Sequence, residues 1–372
     1  MRNKIIAVLA LVLTACESAP PYDPMLPLTE LTANQWNEIA PGHDTICSRG
    51  TDWAFFVYPG DPDKVLVEFE GGGACWNDVT CAIGSSQNYF KEDIEQSRAL
   101  AMGTTFTGLQ DHSNADNPFK DWTHVYVPYC TGDIHWGSAT KTYSEGTPSS
   151  FTINHLGANN ARSVLHWLDD QSLSPSNIFV TGCSAGAYGS IYWTPHLSKQ
   201  YPDAYVAQMG DCGAGIITDT FLTESFPQWN ATANLPEWVE GLHPDTIDIP
   251  NLNLYDIYSM IAAGSPGPAI TAQYNTVLDN NQVFYYTAMG GKSGETGWSQ
   301  GMLDSIKRID DASSNFRYFI APGDRHCIIR FDEVYTLTVG DQKLIDWIAA
   351  LANGENTTSV ACSDCEPALK AE

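Results

Sequence analysis

Ser184 is the residue whose type and setting point most directly to covalent chemistry. It stands in Gly182-Cys-Ser-Ala-Gly186, a G-x-S-x-G run. Residues 178–180 (Ile-Phe-Val) form a short apolar run that reads as a buried strand, and the segment after the serine can form a helix. A serine on a sharp strand-to-helix turn has its Oγ exposed and ready to attack a carbonyl. Such a turn tolerates only small neighbours, and Gly182, Ala185 and Gly186 supply them. The Ala185 N–H is then expected to face the oxyanion that Ser184 creates. The bland alternative is a glycine-rich turn whose serine merely caps the helix.

A serine hydroxyl is a poor nucleophile at neutral pH. It needs a base within hydrogen-bond reach and a third group to fix that base's tautomer. In the α/β-hydrolases, whose nucleophile sits on such an elbow, the acid and then the base follow the serine in the chain. Only His196, His243 and His326 follow Ser184. His196 falls in the elbow helix and is expected to face away, and His243 lies in an irregular segment. His326 follows a late strand through Ala321-Pro-Gly-Asp-Arg, so it is the expected base. For the acid, Asp279 fits best because it leaves a strand between Ser184 and His326. Asp211 also follows a strand and is second. Asp324 is third, being only two residues before the base. His124 and His135 are weaker candidates, expected to be structural polar groups.

These side chains need elements to position them. Residues 52–57 and 64–69 are β-prone runs around a turn at 58–63, and the expectation is a hairpin. The second run leads into Glu70-Gly-Gly-Gly-Ala-Cys75. Three glycines let backbone amides approach a ligand, so this loop is a candidate second source of oxyanion donors beside Ala185, the alternative being a flexible glycine turn. Further strands are expected at 122–127, 205–209, 268–274 and 316–320. Helices are expected at 156–168, 185–199, 303–309 and 343–351, the last with Asp341 as its N-cap. Residues 218–265 are rich in Trp, Pro, Asn and Asp and read as an irregular or helical insertion, a candidate lid. Strands alternating with helices predict an α/β fold with a mostly parallel sheet covered on both faces.

Composition narrows the function further. The chain has 372 residues, enough for one large domain with insertions. Eighteen Lys+Arg against 44 Asp+Glu give a net charge of −26, so phosphate backbones would repel it and nucleic-acid binding is not expected. Arg2 and Lys4 followed by an apolar run ending Leu-Thr-Ala-Cys16 read as a signal peptide over 1–15. Its end resembles the bacterial lipobox, which implies lipidation of Cys16 and a membrane anchor outside the cytoplasm. Residues 16–35 read as a tether, 36–355 as the folded domain and 356–372 as a polar tail. Export implies disulfides. Cys75 with Cys81 and Cys362 with Cys365 are close enough for local loops, and Cys183 with Cys212 is a plausible pair. The loop 111–116 carries oxygen ligands without EF-hand spacing. No metal or cofactor is called for, and a monomer is expected.

Six landmarks in order, Glu70 to Cys75, Pro128-Tyr-Cys130, Gly182 to Gly186, Asp211-Cys-Gly213, residues 274–279 and His326-Cys327, resemble the pectin acetylesterase/Notum family of α/β-hydrolases. The likeness covers most of the chain from about residue 46 to residue 327. It implies Ser184 as nucleophile, Asp279 as acid and His326 as base, with the amides of Gly72, Gly73 and Ala185 as the oxyanion hole. The chain departs from the family at Gly73-Ala74, where many members carry a tryptophan, and at Ala187, where glycine is usual. The pocket wall beside the oxyanion loop is therefore expected to differ. The resemblance implies acyl-ester hydrolysis, an O-deacetylase or carboxylesterase. Polyester or lipid-ester hydrolysis, and a non-catalytic glycan- or partner-binding surface protein, are the alternatives.

Overall fold

The computed structural model describes residues 22–82, 89–103 and 106–363. The expected signal peptide, Cys16 and Cys365 lie outside the described residues. In chain order the strands are β1 (Asn37–Ile39), β2 (Phe55–Tyr58), β3 (Asp61–Phe69), β4 (Trp122–Val127), β5 (Ala139–Tyr143), β6 (Phe151–His155), β7 (Asn177–Cys183), β8 (Tyr205–Asp211), β9 (Ile270–Thr276), β10 (Phe316–Ala321), β11 (Thr338–Val339), β12 (Gln342–Lys343) and β13 (Val360–Ala361). The helices are α1 (Glu95–Gly103), α2 (Gly157–Asp170), α3 (Ala185–Gln200), α4 (Phe221–Trp229), α5 (Leu254–Ala263), α6 (Asn280–Ala288), α7 (Gly294–Ala312) and α8 (Leu344–Asn353).

Nine strands form one sheet in the order β1-β2-β4-β3-β7-β8-β9-β10-β13. From β4 to β13 every neighbouring pair is parallel, and only β2 runs against its neighbours. Strands inside a covered sheet are buried on both faces, and β4 and β9 are buried along their whole length, their polar side chains Thr123, His124, Gln273 and Asn275 included. The pleat of β3 shows both faces at once. Val65, Val67 and Phe69 join a core that includes Trp167 of α2, Ile191 of α3 and Trp298 of α7. Leu66 points the other way, into a core built with Leu344, Trp347 and Leu351 of α8. The layering is the one that alternating strands and helices predict.

The hairpin expected at 52–69 does not form. β4 lies between β2 and β3, antiparallel to the first and parallel to the second. Residues 59–61 dock on the start of β4, where Asp61 N–H donates to the Asp121 carbonyl at 2.7 Å. β4, buried at every position, takes the interior place between them. The expected tether is also shorter than 16–35. Met25, Leu28 and Leu31 pack on the core, and Trp167 Nε1 donates to the Leu26 carbonyl at 2.9 Å. Within the expected polar tail, Val360–Ala361 adds the edge strand β13 beside β10. Lys343, not Asp341, holds the N-cap position of α8. Between β8 and β9 the chain forms α4, α5 and short 3-10 turns.

Disulfides join Cys47 to Cys130, Cys75 to Cys81 and Cys183 to Cys327. The local pair at 75–81 is as expected, and Cys362 is also disulfide-bonded. The pairing of Cys183 with Cys212 is not found. Cys183 ends β7 and meets the loop after β10 instead, leaving Cys212 buried as a free thiol. Three disulfides among the described residues suit an oxidising, extracellular setting. Among these residues no helix is long and apolar enough to cross a membrane.

Candidate active site

The turn from β7 into α3 is tight because its glycines have no room for a side chain. A Cβ on Gly182 would strike the Gly186 carbonyl, and one on Gly186 would strike the Phe69 carbonyl. Ser184 sits at the apex with φ 57° and ψ −121°, a conformation that a non-glycine residue adopts only under constraint. Its N–H donates to the Asp211 carbonyl at 2.8 Å, and its carbonyl accepts from Ala187 N–H at 2.9 Å. Ser184 holds the N-cap position of α3, yet its side chain makes no capping bond. The capping alternative therefore finds no support.

His326 lies in the loop after β10. Its Nδ1 is 2.8 Å from Asp279 Oδ2 and 3.0 Å from Asp279 Oδ1. Asp279 is the N-cap of α6, and its Oδ1 accepts the N–H groups of Asn281 and Gln282 at 3.0 and 2.9 Å. Gln282 Nε2 donates to Oδ2 at 3.0 Å. Burial works to raise the Asp279 pKa. The hydrogen bond and charge of His326, with the Gln282 bonds, outweigh burial and hold the carboxyl below its ordinary range. An ionised Asp279 accepts only, so His326 carries its proton on Nδ1. Gln282 was not singled out in the sequence, although Asp279-Asn-Asn-Gln282 has the spacing of a capping box.

The other candidates go elsewhere. Asp211 is buried, and its Oδ2 accepts the N–H groups of Ile328 and Ile329 at 2.8 and 3.0 Å. Burial pushes its pKa up to about 6. Asp324 is exposed and accepts from Asn280 Nδ2 at 2.9 Å. His196 is turned toward the Asn234 carbonyl, 3.2 Å from its Nε2, and His243 is half-buried in the segment between β8 and β9. His135 Nε2 is 2.8 Å from the Glu70 carbonyl. His124 is buried, with Nδ1 3.1 Å from His112 Nε2 and Nε2 3.1 Å from Glu68 Oε2. Both are structural groups.

The glycine loop after β3 comes to the elbow. A Cβ on Gly71 would lie 2.9 Å from Ser184 Cβ, and Gly73 has φ 79°. The Gly72 carbonyl accepts from Lys91 N–H, while the Gly72 and Gly73 N–H groups donate to nothing among the described residues. Glu70 braces the loop from below. It pairs with Lys91 at 2.8 Å and accepts from Ser97 Oγ at 2.8 Å and from Tyr129 N–H at 2.9 Å. Burial works to raise its pKa, but Lys91 together with the bonds from Tyr129 and Ser97 brings the carboxyl below its ordinary value.

Ser184 and His326 line two cavities in common. One is apolar, about 60 Å³, and walled by Tyr188, Ile216, Phe221, Leu254, Met289 and Trp298 among others. The other is an open, more polar groove of about 550 Å³ that reaches Phe90, Lys91, Asn281, Arg330 and Phe331. Metal-donor triplets within 4.8 Å include His326 with Cys183 and Cys327, and His326 with Cys212 and Asp279. The first has its sulfurs in a disulfide, and in the second Asp279 is committed to His326. Burial, then the charges of Asp211 and Asp279, push the Cys212 thiol well above its ordinary pKa.

Residues 34–232, more than half of the chain, match the family model described as Pectinacetylesterase. Human palmitoleoyl-protein carboxylesterase NOTUM is 25% identical over 197 residues, 49% of this chain and 38% of that protein. A Schmidtea mediterranea protein of the same description is 28% identical over 95 residues, 24% of this chain and 18% of its own length. The Danio rerio protein described as inactive palmitoleoyl-protein carboxylesterase notum1b is 27% identical over 111 residues, 29% of this chain and 78% of that one. The chain thus spans well under half of the first two relatives. The solved structure of the Wnt deacylase Notum from Drosophila matches with a TM-score of 0.64 at 17% identity, over 89% of this chain and 97% of that chain. The shared fold is that of the α/β-hydrolases.

Proposed function

The chain belongs to the pectinacetylesterase family, and on that premise we propose that it is a serine carboxylic ester hydrolase that removes short acyl groups, acetyl foremost, from an extracytoplasmic ester. The observation that carries the reading is the 2.8 Å pair of His326 Nδ1 and Asp279, lining the same cavities as a serine held on a strained elbow. In this reading Ser184 attacks the ester carbonyl while His326 takes its proton and Asp279 steadies the imidazolium. The amides of Gly72, Gly73 and Ala185 receive the oxyanion, each worth about 3 kcal/mol of barrier. His326 protonates the departing alcohol and then activates water to release the acid.

The two cavities support a division of the substrate. The apolar one suits the acyl group, with Phe221 of α4 and Leu254 of α5 supplying a lid from the insertion. Its volume of about 60 Å³ is below the roughly 150 Å³ of an apolar cavity that admits benzene. That favours acetyl over a long chain. The larger polar groove suits a hydroxyl-rich alcohol such as a glycan. The competing reading is a lipid ester, favoured by the apolar lining and by relatives named as palmitoleoyl-protein esterases. Turnover of p-nitrophenyl esters from acetate to palmitate separates the two. kcat/KM is expected to peak at acetate or propionate and to vanish in Ser184→Ala. A peak at long chains would transfer the reading to lipid esters, and no turnover of any ester would sink both.

A further inference from the structure

The proposed acid and base are held by neighbours. β9, which leads to Asp279, pairs with β10, which leads to His326, over six residues. The nucleophile and the base have no such support, because β8 and β9 both lie between β7 and β10. A general base must nevertheless lie within hydrogen-bond reach of its serine. Something else has to bring the His326 loop across two strands to the elbow.

Two ties do so. Cys183 directly precedes Ser184 and Cys327 directly follows His326, and they form a disulfide across a sequence separation of 144, with Cα atoms 5.6 Å apart. Beside it, the Asp211 carbonyl accepts the Ser184 N–H at 2.8 Å. The carboxylate of the same residue accepts the Ile328 and Ile329 N–H groups at 2.8 and 3.0 Å. One residue at the end of β8 therefore holds the nucleophile with its backbone and the base loop with its side chain. Its burial keeps water from replacing either bond.

We propose that the Cys183–Cys327 disulfide and Asp211 form a positioning clamp that sets the His326 imidazole against Ser184. The proposal rests on the ester-hydrolase reading above. Asp211 lines neither cavity and the disulfide only borders the polar groove, so both act on the reaction through the base. Loss of the clamp lets the His326 loop drift from the elbow while the His326–Asp279 pair, held by β9 and β10, persists.

The test compares the wild type with Cys183→Ala/Cys327→Ala, made as a double variant so that no newly freed thiol lies near Cys212. A misplacement of about 1 Å costs on the order of 100-fold, so kcat for p-nitrophenyl acetate is expected to fall 10- to 100-fold with KM within about threefold of wild type. The downfield proton resonance of His326 Nδ1 is expected to remain. Cys47→Ala/Cys130→Ala, which removes a disulfide elsewhere, should lower Tm and leave kcat unchanged. A folded double variant with wild-type kcat, or an equal loss of kcat in the Cys47/Cys130 control, overturns the clamp. Should the double variant fail to fold, Asp211→Ala with the disulfide intact decides the matter. A kcat loss at unchanged KM supports the clamp, and wild-type kcat overturns it. Failure of the underlying hydrolase reading looks different, because Ser184→Ala would then keep wild-type turnover.

Discussion

Imidazole has two nitrogens, and it can serve as a base toward serine only when something fixes which one carries the proton. Asp279 supplies that constraint at 2.8 Å, and it stays ionised despite burial because His326 and the α6 amides hold its pKa down. In Asp279→Asn the amide can present a donor to Nδ1 and favour the wrong tautomer. The expected loss is about 10³- to 10⁴-fold in kcat with an unchanged circular dichroism spectrum. Turnover within tenfold of wild type would remove Asp279 from the mechanism. Ser184, Asp279 and His326 were legible as candidates because each follows a strand-like run that ends in a turn. The part taken by Asp211 was not. It depends on two amides more than a hundred residues away, and no local pattern announces such a bond.

The glycine loop between β3 and α1 depends on a buried ion pair. Lys91 Nζ lies 2.8 Å from Glu70, whose side chain is nearly inaccessible. Lys91→Met keeps most of the apolar stem and removes the charge, leaving Glu70 buried and uncompensated. The expected cost at neutral pH is about 3 kcal/mol, read from the denaturant midpoint. The sign with pH follows from the direction of the shift. The folded-state pKa of Glu70 is lowered, so its stabilising contribution is complete above its ordinary value of 4.5 and is lost as pH falls through the folded value. The deficit of the variant should therefore be largest near neutrality and shrink in acid. A deficit that grows in acid would contradict the role given to the pair. Strand positions at 122–127, 205–209 and 316–320 were legible from short apolar runs. Partners were not. β2 lies two residues before β3 in the chain yet pairs with β4, because sheet order follows burial on both faces and not proximity along the sequence.

Across the whole molecule, a net charge of −26 and three described disulfides fit work outside the cytoplasm on something other than a polyanion. We propose that Cys16 carries a lipid that holds the catalytic domain at a membrane surface. Cys16→Ser should move the protein from the membrane fraction to the soluble one without changing kcat, and continued membrane association would refute the anchor. The fold class was legible from alternation alone. The closure of the site was not, since Cys183 and Cys327 are separated by 144 residues and no local pattern pairs them. In the proposed mechanism Ser184 is a covalent nucleophile driven by His326. Mass mapping after reaction with a fluorophosphonate tests it most directly. One phosphonyl adduct is expected, on the peptide bearing Ser184, formed about 100-fold more slowly in His326→Ala. An adduct on another residue, or labelling of Ser184 at an unchanged rate without His326, would contradict it.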